Sequence, residues 1–232
     1  MKNRKTFMHS GDMGDIIYSL PVIKALGGGK IYLDPSWDKT CFSEEKAHLL
    51  MPLLSTQSYI TEAALYNGEP VDYNLNQFRR IGFRRIGFIN LVESHLRAFE
   101  LPGYLKNEQW LDVGKKRIAE VVFNRSARYQ DVEFPWQDIV ERFKGQSIFV
   151  GLQEEHEQFI ESFGQVPFYE VGDFLELAEI INGADLFIGN QSLSFAISEG
   201  LHKRNYLEIC KHSPNCNFER EGHNIVKGDL ND

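Results

Sequence analysis

The sequence predicts an α/β protein built as two parallel-sheet halves, and three observations carry this. Short β-prone runs alternate with apolar-periodic helical runs from Lys5 to Ile209, the pattern of strands joined by helical crossovers. Two stretches, Met8 to Leu26 and Asp185 to Gly200, share one plan of strand, glycine-bearing loop and helix. That plan sets polar groups at the carboxyl edge of a parallel sheet, where ligands bind. Between the halves, residues 102–117 open on Pro102-Gly103 and carry little periodicity. The expected division is therefore 1–113, 114–213 and a tail, 214–232, that either packs across the domains or is loose. The chain of 232 residues suffices for one large domain or two small ones. Each half is near the lower size for an independent core, so the halves are expected to pack firmly together with a cleft between them.

Each element has its own signal. Lys5 to His9 reads as the first strand, and the apolar run after Gly14-Asp15 as a helix stopped by Gly27-Gly28-Gly29. Lys30 to Leu33 is a second strand. Ser43 followed by Glu44 and Glu45 starts a helix to about Leu54, with acids in the first turn. Ser58 to Thr61 and Val71 to Tyr73 are β-prone, separated by a Gly68–Pro70 turn. A helix runs from about Asn90 to Phe99. In the second half, Ala119 to Asn124, Ser147 to Val150, Phe168 to Glu170, Leu186 to Ile188 and Asn205 to Ile209 read as strands. Helices lie at Trp136–Phe143, Glu154–Phe163 and Ser192–Leu201. A further helix is capped by Asp173 with Glu176 three residues on, and Gly183 ends it.

Composition narrows the function classes. Hydrophobic content of 42% and charged content of 25% are ordinary for a soluble globular protein. No apolar run approaches the roughly 20 residues of a membrane span, and the basic N-terminus lacks the apolar core of a signal peptide. Cys41, Cys210 and Cys216 form neither a disulfide framework nor a zinc pattern. A cytoplasmic protein without integral membrane association is expected. Net charge of −8 argues against a general nucleic-acid binder. Residues 76–106 depart from that balance, with six basic residues against Glu93 and Glu100, or +4.

Those positive charges centre on a tandem repeat, FRRIG-FRRIG-F, at 78–88. The favoured reading is a solvated loop or helix edge. The sharper one is an anion-binding surface in which Arg79, Arg80, Arg84 and Arg85 grip acceptor phosphates, since guanidinium forks match phosphate geometry.

Four loci carry the candidate chemistry. Asp15 follows the sharp turn that Gly14 permits and is a candidate general base; the alternative is that it caps the helix. His9, on the same loop edge, is a candidate substrate contact or a structural residue. At the second site, a buried strand ends at Gly189-Asn190, and Gln191 and Ser192 open a helix whose unpaired N–H groups suit a diphosphate. Glu199, seven residues on, falls on the same helix face and could accept from ribose hydroxyls, or be a surface acid. The third locus is the strand end carrying Arg125 and Arg128, two guanidinium groups able to neutralise a leaving diphosphate. The fourth is Val150 to Glu155, where Glu155 could meet a nucleobase or ribose. There is no GxxxxGK[ST], HExxH or GxSxG motif. The histidines do not cluster at metal-ligand spacing, so no metal and no cofactor beyond a donor substrate is expected.

Together these stretches resemble the GT-B glycosyltransferases, and most closely the heptosyltransferase-like family. The resemblance rests on Gly14-Asp15 followed by an apolar run, Pro21 and a helix to Leu26. It rests also on Leu177-Ala178 through Ala184-Asp185-Leu186-Phe187-Ile188-Gly189-Asn190-Gln191-Ser192. Arg128 ahead of Trp136 matches a basic residue that precedes a Trp-initiated helix. It covers both ends of the chain and not the middle. The resemblance implies two Rossmann-like domains facing across a cleft, with a compact N-terminal half on the acceptor side and a C-terminal half that binds a nucleotide sugar. It implies Asp15 as catalytic base and Glu199 as the ribose ligand. Where the family has Asp-Ser-Gly and then a histidine, this chain has Gln191, Ser192, Leu193 and Ala196. The activity implied is an inverting, metal-independent transfer from a nucleotide-diphosphate sugar to the hydroxyl of a glycan; a hydroxylated base in DNA is a further acceptor to consider, because the arginine-rich repeat at 78–88 could grip a phosphate backbone. The alternative is an inactive nucleotide-sugar-binding module or partner subunit of the same fold; a weaker option is a sugar-nucleotide epimerase of GT-B fold.

Overall fold

A computed structural model of the chain describes residues 5–37, 41–81, 89–218 and 224–225. The chain forms two compact units. One is Met1–Val113 with Asp173–Leu175, the other Gly114–Gly172 with Glu176–Asp232.

The first unit holds a parallel sheet of β1 (Thr6–His9), β2 (Gly29–Leu33), β3 (Ile60–Leu65) and β4 (Tyr73–Asn74), in the order β3-β2-β1-β4. Helix α1 (Met13–Ala25) follows β1, α2 (Glu44–Ser55) follows β2, and α3 (Leu91–Ala98) comes after a 3-10 turn at Leu75–Arg80. Helix α1 buries Ile16, Ile17, Leu20, Val22 and Ile23. At its end, Gly28 takes φ of +79° and donates to Ile23 O (2.9 Å). A Cβ there would lie 2.2 Å from Tyr59 O, so only glycine fits the turn. Short polar residues cap the next two helices. Ser43 Oγ accepts from Lys46 N (3.3 Å), and Asn90 Oδ1 accepts from Val92 N (2.9 Å).

Two of the strands differ from the sequence reading. Strand β3 runs through Ala63-Ala64, well past the expected Ser58–Thr61, because pairing with β2 outweighs the weak strand preference of alanine. Of the expected Val71–Tyr73 run only Tyr73 is strand; it and the following Asn74 pair with Phe7 and Met8.

The second unit holds β5 (Val121–Asn124), β6 (Ser147–Phe149), β7 (Leu186–Asn190), β8 (Asn205–Glu208) and β9 (Asn224–Ile225), all parallel, in the order β6-β5-β7-β8-β9. Helices α4 (Trp136–Arg142), α5 (Gln153–Phe163), α6 (Phe174–Gly183) and α7 (Leu193–Gly200) accompany it. Its core is aromatic: Phe123, Trp136, Phe149 and Phe159 are buried together, with Phe134, Phe143 and Phe163 packed against them. Trp136 stands edge-on to Phe159 at 4.9 Å, an arrangement aromatic pairs prefer. The expected Phe168–Glu170 strand reduces to one bridge, Phe149 to Phe168. In the tail, Asn224 and Ile225 extend the sheet alongside Asn205 and Tyr206. Residues 219–223 and 226–232 of the tail lie outside the described residues.

Both sheets have a switch point. In the first, the chain steps outward from β1 to β2 and β3, then returns to the other side of β1 as β4. In the second it goes from β5 to β6 and then crosses to β7 on the far side of β5. Crevices at the carboxyl ends of strands flanking such a reversal are where open α/β sheets bind ligands.

Candidate functional site

The first switch point lies between the ends of β1 and β4, and it gathers most of the N-terminal candidates. Helix α1 begins at Met13 with Asp12 at its N-cap position, so Asp15 is in the first turn and is not the cap residue. Its side chain is 24% exposed, and Oδ2 lies 3.6 Å from Arg79 Nη2. Asp12 turns aside, accepting from Cys41 N (3.2 Å). Gly14 is the second residue of α1 and makes no sharp turn; a Cβ on it would meet nothing within 4 Å, so the helix start before Asp15 opens onto space.

Arg79 is held on several sides. Its guanidinium stacks on Trp37 (4.2 Å to the ring centre) and on Phe78 (4.6 Å). Nη1 donates to Asn76 Oδ1 (2.5 Å), which also accepts from Ser10 N (3.2 Å). Burial draws the Arg79 pKa down, and the carboxylates of Asp15 and Asp12 oppose that shift.

Beneath this pair runs a buried relay. Gly11 N–H donates to His9 Nδ1 (2.8 Å), so that nitrogen carries no proton. His9 Nε2–H then donates to His95 Nε2 (3.3 Å), and His95 Nδ1–H to Leu91 O (2.8 Å). A backbone N–H at one end and a carbonyl at the other fix both tautomers. Both rings are fully buried and stack with Phe78. Burial, each histidine's neighbour and Arg79 hold His9 neutral well below its ordinary range. Burial pushes His95 down to about 3, with Arg79 acting in the same direction. His9 is buried and supports the loop through Gly11 N. Arg80 is exposed on the same 3-10 turn, whereas Arg84 and Arg85 lie outside the described residues.

The second switch point, between β5 and β7, brings the C-terminal candidates together. Asn190 is buried and braces the loop after β5. Its Oδ1 accepts from Ser126 N (2.9 Å), and Nδ2 donates to Ser126 O (2.9 Å) and Arg128 O (2.6 Å). Gln191 braces the segment after β8 by accepting from Cys210 N (2.8 Å) and donating to Ser213 O (2.7 Å) and Asn215 Oδ1 (2.9 Å). Ser192 caps α7, accepting from Phe195 N (3.3 Å) while its hydroxyl donates to Asn124 Oδ1 (2.7 Å). These three residues shape the loops rather than project from them, and Arg128 is exposed on the loop that Asn190 holds.

Three further candidates are engaged with groups of the chain itself. Arg125 closes on Glu208, with Nε to Oε2 and Nη2 to Oε1 both at 2.9 Å, so its charge is already matched. Glu199 points into the unit. It is 1% exposed and accepts from Asn205 Nδ2 (2.8 Å), because both faces of α7 are covered. Glu155 caps α5, accepting from Leu152 N and Ala127 N (both 3.2 Å).

Glu208 is the residue that sequence reasoning missed. Wholly buried at the end of β8, it also accepts from Trp136 Nε1 and Asp131 N (both 2.8 Å). An acid closing a buried strand was the available signal, since a buried carboxylate requires partners. Among the described residues, no group of three or more His, Cys, Asp or Glu could hold a metal ion, and no helix is long and apolar enough to cross a membrane.

No family model and no curated protein matches the sequence. Solved structures do match the fold. The glycosyl transferase family 9 structure from Veillonella parvula superposes with a TM-score of 0.58 at 10% identity, covering 88% of this chain and 80% of that one. The E. coli heptosyltransferase WaaC, solved with ADP-2-deoxy-2-fluoro heptose, gives 0.54 at 11% identity over 88% of each chain. The E. coli ADP-heptose lps heptosyltransferase II gives 0.58 at 13% identity, covering 94% of this chain and 89% of that one. The chain has the fold of these glycosyltransferases.

Proposed function

We propose that the chain is a nucleotide-sugar glycosyltransferase, inverting and independent of metal, with Asp15 as its general base. The observation that carries this reading is a partly exposed carboxylate at the switch point of the first sheet, paired with a fixed arginine, in a fold shared with heptosyltransferases. In the proposed reaction, Asp15 takes the proton of an acceptor hydroxyl as its oxygen attacks the anomeric carbon. The bond from that carbon to the diphosphate oxygen breaks, and the diphosphate leaves carrying its electron pair. Arg128 and the N–H groups at the start of α7 stabilise the developing charge. Asn190, Gln191 and Ser192 hold the loops that present those groups. An ADP-sugar is the first donor to test, since two of the structures of like fold were solved with, or are named for, one.

The reading of the chain as a binding module with its chemistry lost draws on Gln191, Leu193 and Ala196. Gln191 has a structural task of its own in bracing 210–215, which accounts for the residue without invoking lost activity.

The test is a titration of ADP-, UDP-, GDP- and dTDP-sugars by calorimetry, followed by NMR of the product from whichever binds, in EDTA. Saturable binding and product of inverted anomeric configuration are expected. Retained configuration, or turnover abolished by EDTA, overturns the mechanism. Donor binding without turnover of any acceptor, water included, favours the binding module.

A further inference from the structure

Several features around Asp15 converge on one residue that the reaction scheme does not use. The Arg79 guanidinium lies over both the Trp37 and the Phe78 rings and is tied to Asn76. It also lies directly over the α-carbon of Gly11. A Cβ built on Gly11 would come within 2.6 Å of Arg79 Nη2 and 2.5 Å of His9 Cε1. The His9 ring cannot retreat, because the relay from Gly11 to Leu91 fixes it and Phe78 stacks against it. Gly11, His9, Phe78, Asn76 and Trp37 thus form a seat for one guanidinium, whose remaining side faces Asp15. A partly exposed ion pair contributes little to stability, roughly 0–1 kcal/mol, so a seat this elaborate is not explained by stabilisation of the fold.

We propose that Arg79 is the positioning residue for Asp15, seated so that the carboxylate keeps one place and one charge at the end of β1. The inference rests on Asp15 being the general base. It differs from an acceptor-phosphate role for Arg79, because a positioning residue acts even when water is the acceptor. The groups that interact with the Arg79 charge include Asp15, Asp12, His9 and His95. Burial keeps both histidines neutral, so Arg79 presents a cation to the Asp15 carboxylate.

The test measures release of ADP from ADP-heptose with water as acceptor, across pH, for the wild-type chain and for Asp15→Asn, Arg79→Met, Arg79→Lys and Trp37→Leu. Arg79→Met is expected to lower kcat about 10- to 100-fold with KM within about twofold, the signature of a misplaced group rather than lost binding. The acidic limb of its pH profile should move up by about 1–3 pH units, since a nearby cation favours the ionised carboxylate. Arg79→Lys should restore the limb and part of the rate. Trp37→Leu removes one ring of the seat without removing the charge, and should lower kcat without moving the limb. If Asp15→Asn is as active as wild type, the proposed function itself fails. If Asp15→Asn is inactive while Arg79→Met keeps both kcat and the limb, the positioning role is overturned.

Discussion

The roles of single residues here are decided by depth as much as by position. Arg125 and Arg128 are three apart on one loop, yet Arg125 is paired inside with Glu208 and Arg128 is exposed. Breaking a buried pair leaves an uncompensated charge and costs about 3–5 kcal/mol. Glu208→Ala also strips Trp136 Nε1 of its acceptor. Denaturant unfolding of Glu208→Ala should therefore show a loss of that size, and a loss below about 1 kcal/mol would deny Glu208 its place as the anchor of the loop. Arg128→Ala should instead weaken donor binding about tenfold by calorimetry while leaving the unfolding midpoint nearly unchanged.

At the scale of elements, caps and strand ends do the positioning. Ser192 opens α7 and also ties it to Asn124 at the end of β5. Ser192→Ala should cost about 1 kcal/mol for the cap alone. It should also weaken donor binding, because the two loops at the second switch point lose their tie; stability loss with unchanged donor affinity would limit Ser192 to capping. Much of this level was legible in the sequence. Ser43, Asn90 and Ser192 each stand directly before an apolar-periodic run, and a short polar side chain there has one favoured use. Strand β3 was not legible beyond Thr61, since Ala63-Ala64 carries no strand signal of its own. Nor was β9, two residues long, which exists only because β8 templates it. The Gly-Asp loop marked the locus of Asp15. The seven-residue step from Ser192 to Glu199 told which face the acid shares, but not that the face is buried. The partner of Arg125 lies 83 residues away, beyond any local pattern.

At the scale of the whole molecule, the fold is shared with structures at 10–13% identity. The alternation of strands and helices and the placing of loops at switch points therefore carry the likeness, rather than particular side chains. One property of the whole fold follows from the histidine relay. His9 and His95 have folded pKa values below those of the unfolded chain, His95 near 3. Below about pH 6.5 the unfolded chain gains protons that the folded chain refuses, so stability is complete above that pH and falls as the pH drops toward 3. Two such groups together give a slope of at most about 3 kcal/mol per pH unit. Urea midpoints between pH 7 and pH 4 should fall steeply, and more gently in a His9→Leu/His95→Leu double variant. Equal slopes would mean that the rings are charged in the folded state.

The claim on which the account turns is that the carboxylate at position 15 removes a proton during sugar transfer. The most direct measurement compares wild type with Asp15→Asn for ADP-heptose turnover and, separately, for ADP-heptose affinity. We expect turnover to fall by about 100-fold or more, the range of general-base contributions, with affinity within about threefold. Turnover that survives the substitution, or affinity that collapses with it, would contradict the account.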